Sequence, residues 1–181
     1  PDNPDIIYAG GCYYTGSLFQ MAVVRSADRG LTWPTFRQLT SNHGLCQAIA
    51  VAASDTQVVY AAGAEWDGSA YQSRVYRSNN RGDSWSRVAQ TLSAGIVYAA
   101  LVDPLDANRV TIGAEQGVYR SPDGGATWQF LGLSDYTKAL RRTADGKLYA
   151  ATQDNGVFYS PDDGATWQAL NDGLICLRCD C

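Results

Sequence analysis

The eight residues SPDGGATW at 121–128 return as SPDDGATW at 160–167. Looser copies precede them, SADRGLTW at 26–33 and the more degenerate SNNRGDSW at 78–85. Self-similarity at a period of this length is typical of solenoids, propellers and other repeat arrays. The chain is therefore a repeat protein whose units follow these four copies.

Each copy is preceded by strand-like runs. RVYRS, GVYRS and GVFYS, which end at 78, 121 and 160, lead directly into the repeat. Further upstream lie IIYAGG, VVYAAG, RVTIGA and KLYAAT, with IAVAA and IVYAALV before two of them. These β-branched and aromatic runs predict strands. About four short strands per period is the composition of a propeller blade.

The repeated octapeptide is explained as a hairpin turn between the third and fourth strands of a blade. Asp and Asn bind the backbone two residues on, Gly allows positive φ, and Trp is a large apolar plug. A structural role is assigned to these positions: Ser26, Asp28, Gly30, Trp33, Ser78, Asn80, Gly82, Trp85, Ser121, Asp123, Gly125, Trp128, Ser160, Asp162, Gly164 and Trp167. A catalytic or metal-binding Asp is the alternative, but a catalytic group normally occurs once.

The four copies resemble the Asp-box, or BNR, repeats of sialidases, sortilin-type receptors, xyloglucanases and photosystem II assembly factors, over nearly the whole chain. The resemblance implies an all-β fold, a β-propeller of about four four-stranded blades that each carry an Asp-box turn. It implies no single activity, because such repeats occur in hydrolases and in binding proteins.

We expect one propeller domain, or propeller segment, over 1–181. The predicted blades are blade 1 at about 1–41, completed by a strand at 174–181, then blade 2 at about 44–91, blade 3 at about 94–132 and blade 4 at about 136–171. The completing strand is inferred because GLICLRC resembles the first-strand segments GLCQAIAVA and AGIVYAALV. A self-closed ring of four blades and a segment of a larger propeller both fit.

The charge disfavours some partners. The net charge is −4 and the isoelectric point about 4.8, so nucleic acid and anionic membrane surfaces are not expected. No apolar run of about 18 residues predicts a membrane-spanning helix. The single histidine, His43, leaves little room for a Ser-His-Asp triad or a histidine-based metal site, so neither a metal nor another cofactor is expected.

Three of the 5 cysteines, Cys176, Cys179 and Cys181, lie close to the C-terminus, while Cys12 and Cys46 lie in the first two blades. Strand alternation would place Cys176 and Cys179 on opposite faces, which disfavours a metal site. We expect one of them to form a disulfide with Cys12 across the seam of the ring. This predicts an extracellular, periplasmic or cell-envelope location, with a reduced intracellular protein as the alternative.

The loops between the second and third strands are unequal, long and aromatic in blades 1 and 2 and short in blades 3 and 4. Long loops are where function tends to lie. Aromatic rings beside carboxylates suit a sugar or a protein partner. The candidate ligand-binding residues are Tyr13, Tyr14, Phe19, Glu65, Trp66, Asp67, Tyr71, Asp135 and Tyr136.

A glycoside hydrolase is the alternative function, and it requires two carboxylates across a cleft. The only candidates are Glu65, Asp67, Asp135 and Asp154. The resemblance to sialidases would also require an arginine cluster, whereas Arg25, Arg77 and Arg120 recur once per repeat and are interpreted as scaffold. The sequence therefore favours a non-enzymatic binding or assembly module with a protein or glycan ligand, self-association, or further blades of a larger propeller as its partner.

Overall fold

The computed structural model describes residues 3–88 and 92–174, and these residues form strands and turns without a helix. The first sheet contains β1 (Ile7–Tyr14), β2 (Phe19–Ser26) and β3 (Thr35–Gln38). The second contains β4 (Gly44–Val51), β5 (Val59–Trp66), β6 (Tyr71–Ser78) and β7 (Ser86–Arg87).

The third and fourth sheets repeat this order with shorter strands. The third contains β8 (Val97–Val102), β9 (Val110–Ala114), β10 (Gly117–Ser121) and β11 (Gln129–Phe130). The fourth contains β12 (Thr137–Arg142), β13 (Leu148–Thr152), β14 (Val157–Ser160) and β15 (Gln168–Ala169). Every sheet is an antiparallel meander in chain order, so the predicted propeller fold is confirmed.

The first sheet has three strands where the others have four. Its β1 corresponds to the second strand of the later blades, since Ile7 pairs with Ser26 as Val59 pairs with Ser78. The strand predicted to complete this blade falls almost wholly in 175–181, which lies outside the described residues.

The sheets pack against one another in series. Among the described strands, extensive contacts join β1 to β4, β4 to β8 and β8 to β12, and no comparable contact joins the fourth sheet to the first. We call the surface that a blade presents to its successor the trailing face, and the surface it presents to its predecessor the leading face. The described chain is an arc of consecutive blades.

Each interface in the arc buries the same two positions. A valine of the third strand, on the trailing face, meets an aliphatic residue of the next blade's second strand, on its leading face. The three pairs are Val23 with Ala61, Val75 with Ile112, and Val118 with Ala150. The core is thus divided into apolar layers between blades, and each blade is stabilised by its neighbours.

The serine and the Asp or Asn of the Asp-box form the same turn hydrogen bonds in all four blades. In the first copy, Ser26 Oγ donates to Asp28 Oδ1 at 2.6 Å and accepts from the Gly30 N–H at 2.8 Å. Asp28 accepts from the backbone of Thr32 at 2.9 Å, and the Trp33 indole donates to the Gly30 carbonyl at 3.1 Å. The tryptophan differs in the fourth blade, where the Trp167 indole donates to the Leu131 carbonyl at 2.8 Å. The conserved spelling of the repeat is therefore accounted for by one turn.

Side chains from one blade also hold the turn of the next. Arg25 forms an ion pair with Asp83 at 2.9 Å, and Tyr8 Oη donates to the Arg81 carbonyl at 3.1 Å. The link recurs further along, where the Arg120 guanidinium lies 3.0 Å from Asp163 Oδ1. Arg25 and Arg120, two of the arginines that recur once per repeat, thus serve as clamps between successive blades.

Candidate functional site

Two equivalent hairpin tips stand at the end of the sheets opposite the Asp-box turns. The tip TGSL at 15–18 joins β1 to β2, and the tip DGSA at 67–70 joins β5 to β6. Each turn places a glycine at positive φ, 95° at Gly16 and 108° at Gly68, which favours glycine there. Because the tips are alike, the residues flanking them occupy equivalent positions in the two blades.

Aromatic rings flank both tips. Tyr14 and Phe19 pair across the first hairpin with ring centroids 4.9 Å apart, and Trp66 and Tyr71 pair across the second at 5.3 Å. The equivalent hairpins of the third and fourth blades are shorter. In the third blade Ala114 pairs with Gly117 beside the tip, and in the fourth the strand before the tip ends at Thr152. The aromatic hairpins therefore belong to the first two blades.

His43 lies in the segment between β3 and β4 and connects the two hairpins. Its Nδ1 accepts a hydrogen bond from the Phe19 N–H at 3.3 Å, and its carbonyl accepts one from the Trp66 N–H at 2.6 Å. The imidazole centroid is 6.4 Å from the Phe19 ring, and His43, Trp66 and Tyr71 line one open pocket. We call Tyr14, Phe19, His43, Trp66 and Tyr71 the aromatic strip.

The strip is open to solvent. Tyr14 is 55% exposed, Phe19 51% and Tyr71 37%. Exposed apolar rings grouped on one surface mark an interaction site more often than scattered ones do. The sequence identified four of the five residues as ligand-binding candidates, and His43 was not among them, because its contacts come from two other segments.

Tyr13 lies apart from the strip. It pairs with Gln20, and its ring packs edge-on against Phe36 with centroids 4.9 Å apart. Successive residues of a strand point to opposite faces, so Tyr13 and its neighbour Tyr14 serve different surfaces. Tyr13 belongs to the leading face of the first blade.

Glu65 is held beneath the strip. Its carboxylate accepts from Arg74 Nε at 2.7 Å and from the backbone N–H groups of Ser41 and Asn42 at 3.1 and 3.2 Å. Burial pushes the pKa of Glu65 upward, but the hydrogen bonds from Arg74 and the backbone outweigh it, and the net pKa lies below its usual value. This carboxylate is ionised and fixes the segment that carries His43.

Asp67 belongs to the second hairpin tip. Its Oδ1 accepts from the Ala70 N–H at 2.9 Å and from the Ser69 N–H at 2.8 Å. These backbone bonds, with one from the Ser69 hydroxyl at 2.9 Å, lower the pKa of Asp67 to about 2. Asp67 is therefore an anionic turn residue at the edge of the strip.

The remaining predicted residues lie at the third and fourth blades. The Asn155 amide donates to Asp135, while the hydroxyls of Tyr136 and Tyr98 are hydrogen-bonded to each other. Lys138 Nζ lies 4.1 Å from the Tyr98 ring centroid and 4.3 Å from that of Tyr136. These residues form a second polar group, separate from the aromatic strip.

Asp154 lies in the hairpin loop between β13 and β14, in the same blade as Asp135. Of the four carboxylates that the sequence offers for catalysis, two are therefore in the second blade and two in or next to the fourth. The pKa values of the second-blade pair are lowered, whereas a general acid requires a raised one.

A repeated β-bulge escaped the sequence analysis. The pairing register of the first strand shifts between Cys46 and Ala48 in the second blade. The same shift occurs in the third and fourth blades, and the extra residues are Gln47, Tyr98 and Lys138. A bulge re-aims the side chain it carries. Tyr98 and Lys138, the bulge residues of the third and fourth blades, lie in contact. The sequence contains no motif that predicts these bulges.

The described residues hold no group of three or more His, Cys, Asp and Glu side chains placed to bind a metal ion. Within the same residues there is no helix with the length and apolarity needed to cross a membrane. The predicted disulfide of Cys12 is not formed in this structure, where Cys12 and Cys46 both carry free thiols. Its predicted partners, Cys176 and Cys179, lie outside the described residues.

No protein-family model matches the chain. A xyloglucanase from Paenibacillus sp is 28% identical over 187 residues, which cover 82% of this chain and 17% of the xyloglucanase. Among solved structures, the GH74 enzyme of Niastella koreensis superposes with a TM-score of 0.72 at 20% identity, over 93% of this chain and 28% of that one. YCF48 bound to D1 peptide superposes at 0.65 with 16% identity, over 91% and 49%.

These matches confirm the resemblance to Asp-box propeller proteins, both glycan-active and protein-binding. At such identities the structural likeness concerns the fold. The chain spans less than a fifth of the length of the Paenibacillus xyloglucanase and at most about half of the two solved structures.

Proposed function

We propose that this chain is a non-enzymatic binding module whose aromatic strip takes a glycan. The observation that carries the proposal is the strip itself, two paired sets of exposed rings joined by His43 on one face. The apolar face of a sugar ring stacks on such side chains, while its hydroxyls bind polar groups nearby. The glycan activity named for the Paenibacillus relative supports this ligand class.

The carboxylates near the strip support binding over hydrolysis. Glycoside hydrolysis needs one carboxyl group that is protonated near neutral pH and a second across the substrate. Glu65 is engaged by Arg74, and Asp67 is held as an anion by its own turn. Both are suited to orienting the strip and accepting hydrogen bonds from hydroxyls. A glycan ligand would support the predicted location in the extracellular space, periplasm or cell envelope.

Binding to soluble xyloglucan, followed by titration calorimetry, tests the proposal. We expect Tyr14→Ala and Trp66→Ala each to weaken binding about tenfold, which corresponds to roughly 1.4 kcal/mol. Tyr13→Ala is the matched control, because Tyr13 is exposed to a similar degree but lies on the leading face. Absence of binding to xyloglucan and to a panel of other plant and bacterial polysaccharides would contradict the proposal, as would equal losses in all three variants.

A second candidate is a glycoside hydrolase, sialidase-like or xyloglucanase-like, of which this chain is a part. It is favoured by the similarity to a xyloglucanase over most of the chain. Release of reducing ends from xyloglucan that disappears in Asp135→Asn or Asp154→Asn, but not in Asp106→Asn, would favour this candidate over the binding module.

A protein ligand is the remaining possibility for the strip, and YCF48, which was solved with a peptide, is the structural precedent. Tyrosine and tryptophan are common anchors at protein interfaces. If Tyr14→Ala and Trp66→Ala leave xyloglucan binding unchanged, the aromatic strip does not bind this glycan, and peptides become the ligands to test on it.

A further inference from the structure

Lys138 lies between two tyrosine rings where the third and fourth blades meet. Its Nζ is 4.1 Å from the Tyr98 ring centroid and 4.3 Å from that of Tyr136, and all three side chains are partly exposed. Tyr98 and Lys138 are the extra residues of the bulges in β8 and β12, and a bulge re-aims the side chain it carries. We call Tyr98, Tyr136 and Lys138 the Lys138 cluster, which is formed by two neighbouring blades that are both described.

The Lys138 cluster lies at the same end of the sheets as the aromatic strip. In the second blade the His43 carbonyl accepts a hydrogen bond from the Trp66 N–H, and in the fourth blade the Tyr136 carbonyl accepts one from the Gln153 N–H at 2.9 Å. Each acceptor directly precedes the first strand of its blade. Tyr136 therefore has in the fourth blade the place that His43 has in the second, away from the Asp-box turns.

The Lys138 ammonium retains hydrogen-bond donors for a ligand. An ammonium carries three N–H donors, and Tyr136 Oη accepts one of them at 3.2 Å. No carboxylate oxygen of the described residues lies within ion-pairing distance of Lys138, whereas Lys147 pairs with Asp145 at 2.9 Å. The positive charge of Lys138 is held by two ring faces, which stabilise an ammonium without cancelling its charge.

The carboxylates of the neighbouring loops have partners of their own. The Asn155 amide donates to Asp135, and Glu115 Oε2 accepts from the Ile96 N–H at 3.1 Å. These bonds tie both acidic side chains to their own loops. The ammonium of Lys138 is therefore left to attract an anion from solution, although the chain as a whole is acidic.

The tyrosine hydroxyls place a second donor beside the ammonium. The Tyr136 hydroxyl accepts from Lys138 and is hydrogen-bonded to the hydroxyl of Tyr98. When Tyr136 donates in this pair, the Tyr98 proton is left for an acceptor outside the cluster. Burial, reinforced by Tyr136, raises the pKa of Tyr98, so this hydroxyl stays protonated at neutral pH. A charged and a neutral donor side by side suit the oxygens of one oxyanion.

We propose that the Lys138 cluster binds the oxyanion of an acidic sugar, a carboxylate of the kind that a uronic acid carries. The inference rests on the proposed glycan ligand of the aromatic strip and adds a preference for acidic over neutral sugars. One carboxylate oxygen accepts from the Lys138 ammonium while the other accepts from the Tyr98 hydroxyl. A sugar sulfate ester presents similar oxygens, so the two groups are compared in the test.

NMR titration with methyl glucuronide and methyl glucoside tests the site, because the two sugars differ only in the group at the sixth carbon. We expect the wild type to bind the glucuronide about tenfold more tightly, a difference of roughly 1.4 kcal/mol. This preference should shrink as NaCl rises from about 0.05 to about 0.5 M, because salt screens the contact. Methyl glucoside 6-sulfate distinguishes the sources: equal affinity assigns any sugar oxyanion to the cluster, and weaker binding assigns the carboxylate.

Lys138→Met should abolish the preference for the glucuronide. Lys147→Met is the matched control, since Lys147 lies in the hairpin between β12 and β13 at the other end of the sheets, and it should keep the preference. Tyr98→Phe keeps the ring over the ammonium and removes only the hydroxyl, so we expect the preference to fall about threefold. Thermal melts establish that the variants are folded, and Tyr98→Phe decides the question if Lys138→Met is not.

Two results would overturn the inference: equal affinity of the wild type for glucuronide and glucoside, or a full preference in both Lys138→Met and Tyr98→Phe. The strip variants separate it from the proposed function, because Tyr14→Ala and Trp66→Ala should leave the preference intact. A chain that prefers the glucuronide through Lys138 but binds no polysaccharide on the strip supports the cluster and contradicts the strip. Strip-dependent xyloglucan binding without any preference for the glucuronide does the reverse.

Discussion

Arg120 Nη2 lies 3.0 Å from Asp163 Oδ1, and Arg120 Nη1 donates to the Asp163 carbonyl at 2.7 Å. The arginine is the penultimate residue of β10, the third strand of one blade, and the aspartate is in the Asp-box turn of the next. Arg109 and Arg142 also pair with Asp163, so the turn is held by charges from two blades. The repeated turn thus has two roles, closing its own hairpin and anchoring it to the preceding blade.

Replacing Arg120, which links the third blade to the fourth, should destabilise the protein. We expect Arg120→Met to lower the free energy of unfolding by about 2 kcal/mol, because a largely buried, charge-assisted set of hydrogen bonds is lost while Asp163 keeps two other partners. Arg29→Met is the control, since Arg29 pairs with Asp5 through a side chain that is 74% exposed, and it should cost no more than about 0.5 kcal/mol. Urea denaturation measures both, and equal effects would refute the clamp.

The Asp-box carboxylates predict a dependence of stability on pH. Hydrogen bonds from Thr127 and Ser121 lower the pKa of Asp123 from 3.8 to about 2. A group with a depressed folded pKa stabilises the protein above its unfolded pKa, and this stability is lost as the pH falls from 3.8 towards 2. The stability of Asp123→Asn should therefore decline less steeply than that of the wild type over this pH interval. Urea unfolding midpoints measured at each pH test this.

The degenerate second box supplies the reverse test. Asn80 accepts the Ser84 N–H at 2.9 Å without a charge, and its amide donates to Ser84 Oγ at 2.9 Å. Asn80→Asp should steepen the decline in stability over the same acidic interval. An unchanged slope in both this variant and Asp123→Asn would show that the box carboxylates do not control acid unfolding.

Two glycines at equivalent positions should respond differently to the same substitution. A Cβ on Gly63 would lie 1.7 Å from the Leu45 carbonyl oxygen of the neighbouring β4, whereas a Cβ on Gly11 would meet nothing within 4 Å. We expect Gly63→Ala to destabilise the protein by about 3 kcal/mol or more, because backbone must move, and Gly11→Ala to be close to neutral. Thermal denaturation of the two variants measures their losses of stability. Equal losses for Gly63→Ala and Gly11→Ala would contradict the close packing at Gly63.

The two described thiols should differ in reactivity. Burial raises the pKa of the Cys46 thiol to about 12, and Cys46 lies in the apolar layer between the first two blades, while Cys12 is exposed. The thiolate is the reactive form, so iodoacetamide should label Cys12 in the native protein and Cys46 only after denaturation. Peptide mass mapping distinguishes the sites, and rapid native labelling of Cys46 would contradict its burial.

Much of the architecture could be predicted because its signals are local. The spelling Ser-x-Asp-x-Gly-x-Thr-Trp contains every group that its turn needs, so four copies were enough to predict four blades. The unequal hairpin loops likewise located the aromatic rings in the first two blades. The contacts of the candidate site could not be predicted in the same way, because they depend on pairing register and on packing between segments.

The sequence by itself determined the repeat, the strands around it and the hairpins that carry Tyr14 and Trp66, since each is specified by residues adjacent in the chain. Only the tertiary structure decided that His43 joins those hairpins, that Glu65 forms an ion pair with Arg74, and that a bulge lies where Lys138 meets Tyr98. The physical reason is that side-chain partners across strands and between blades are chosen by pairing register and packing, which no local pattern of residues records.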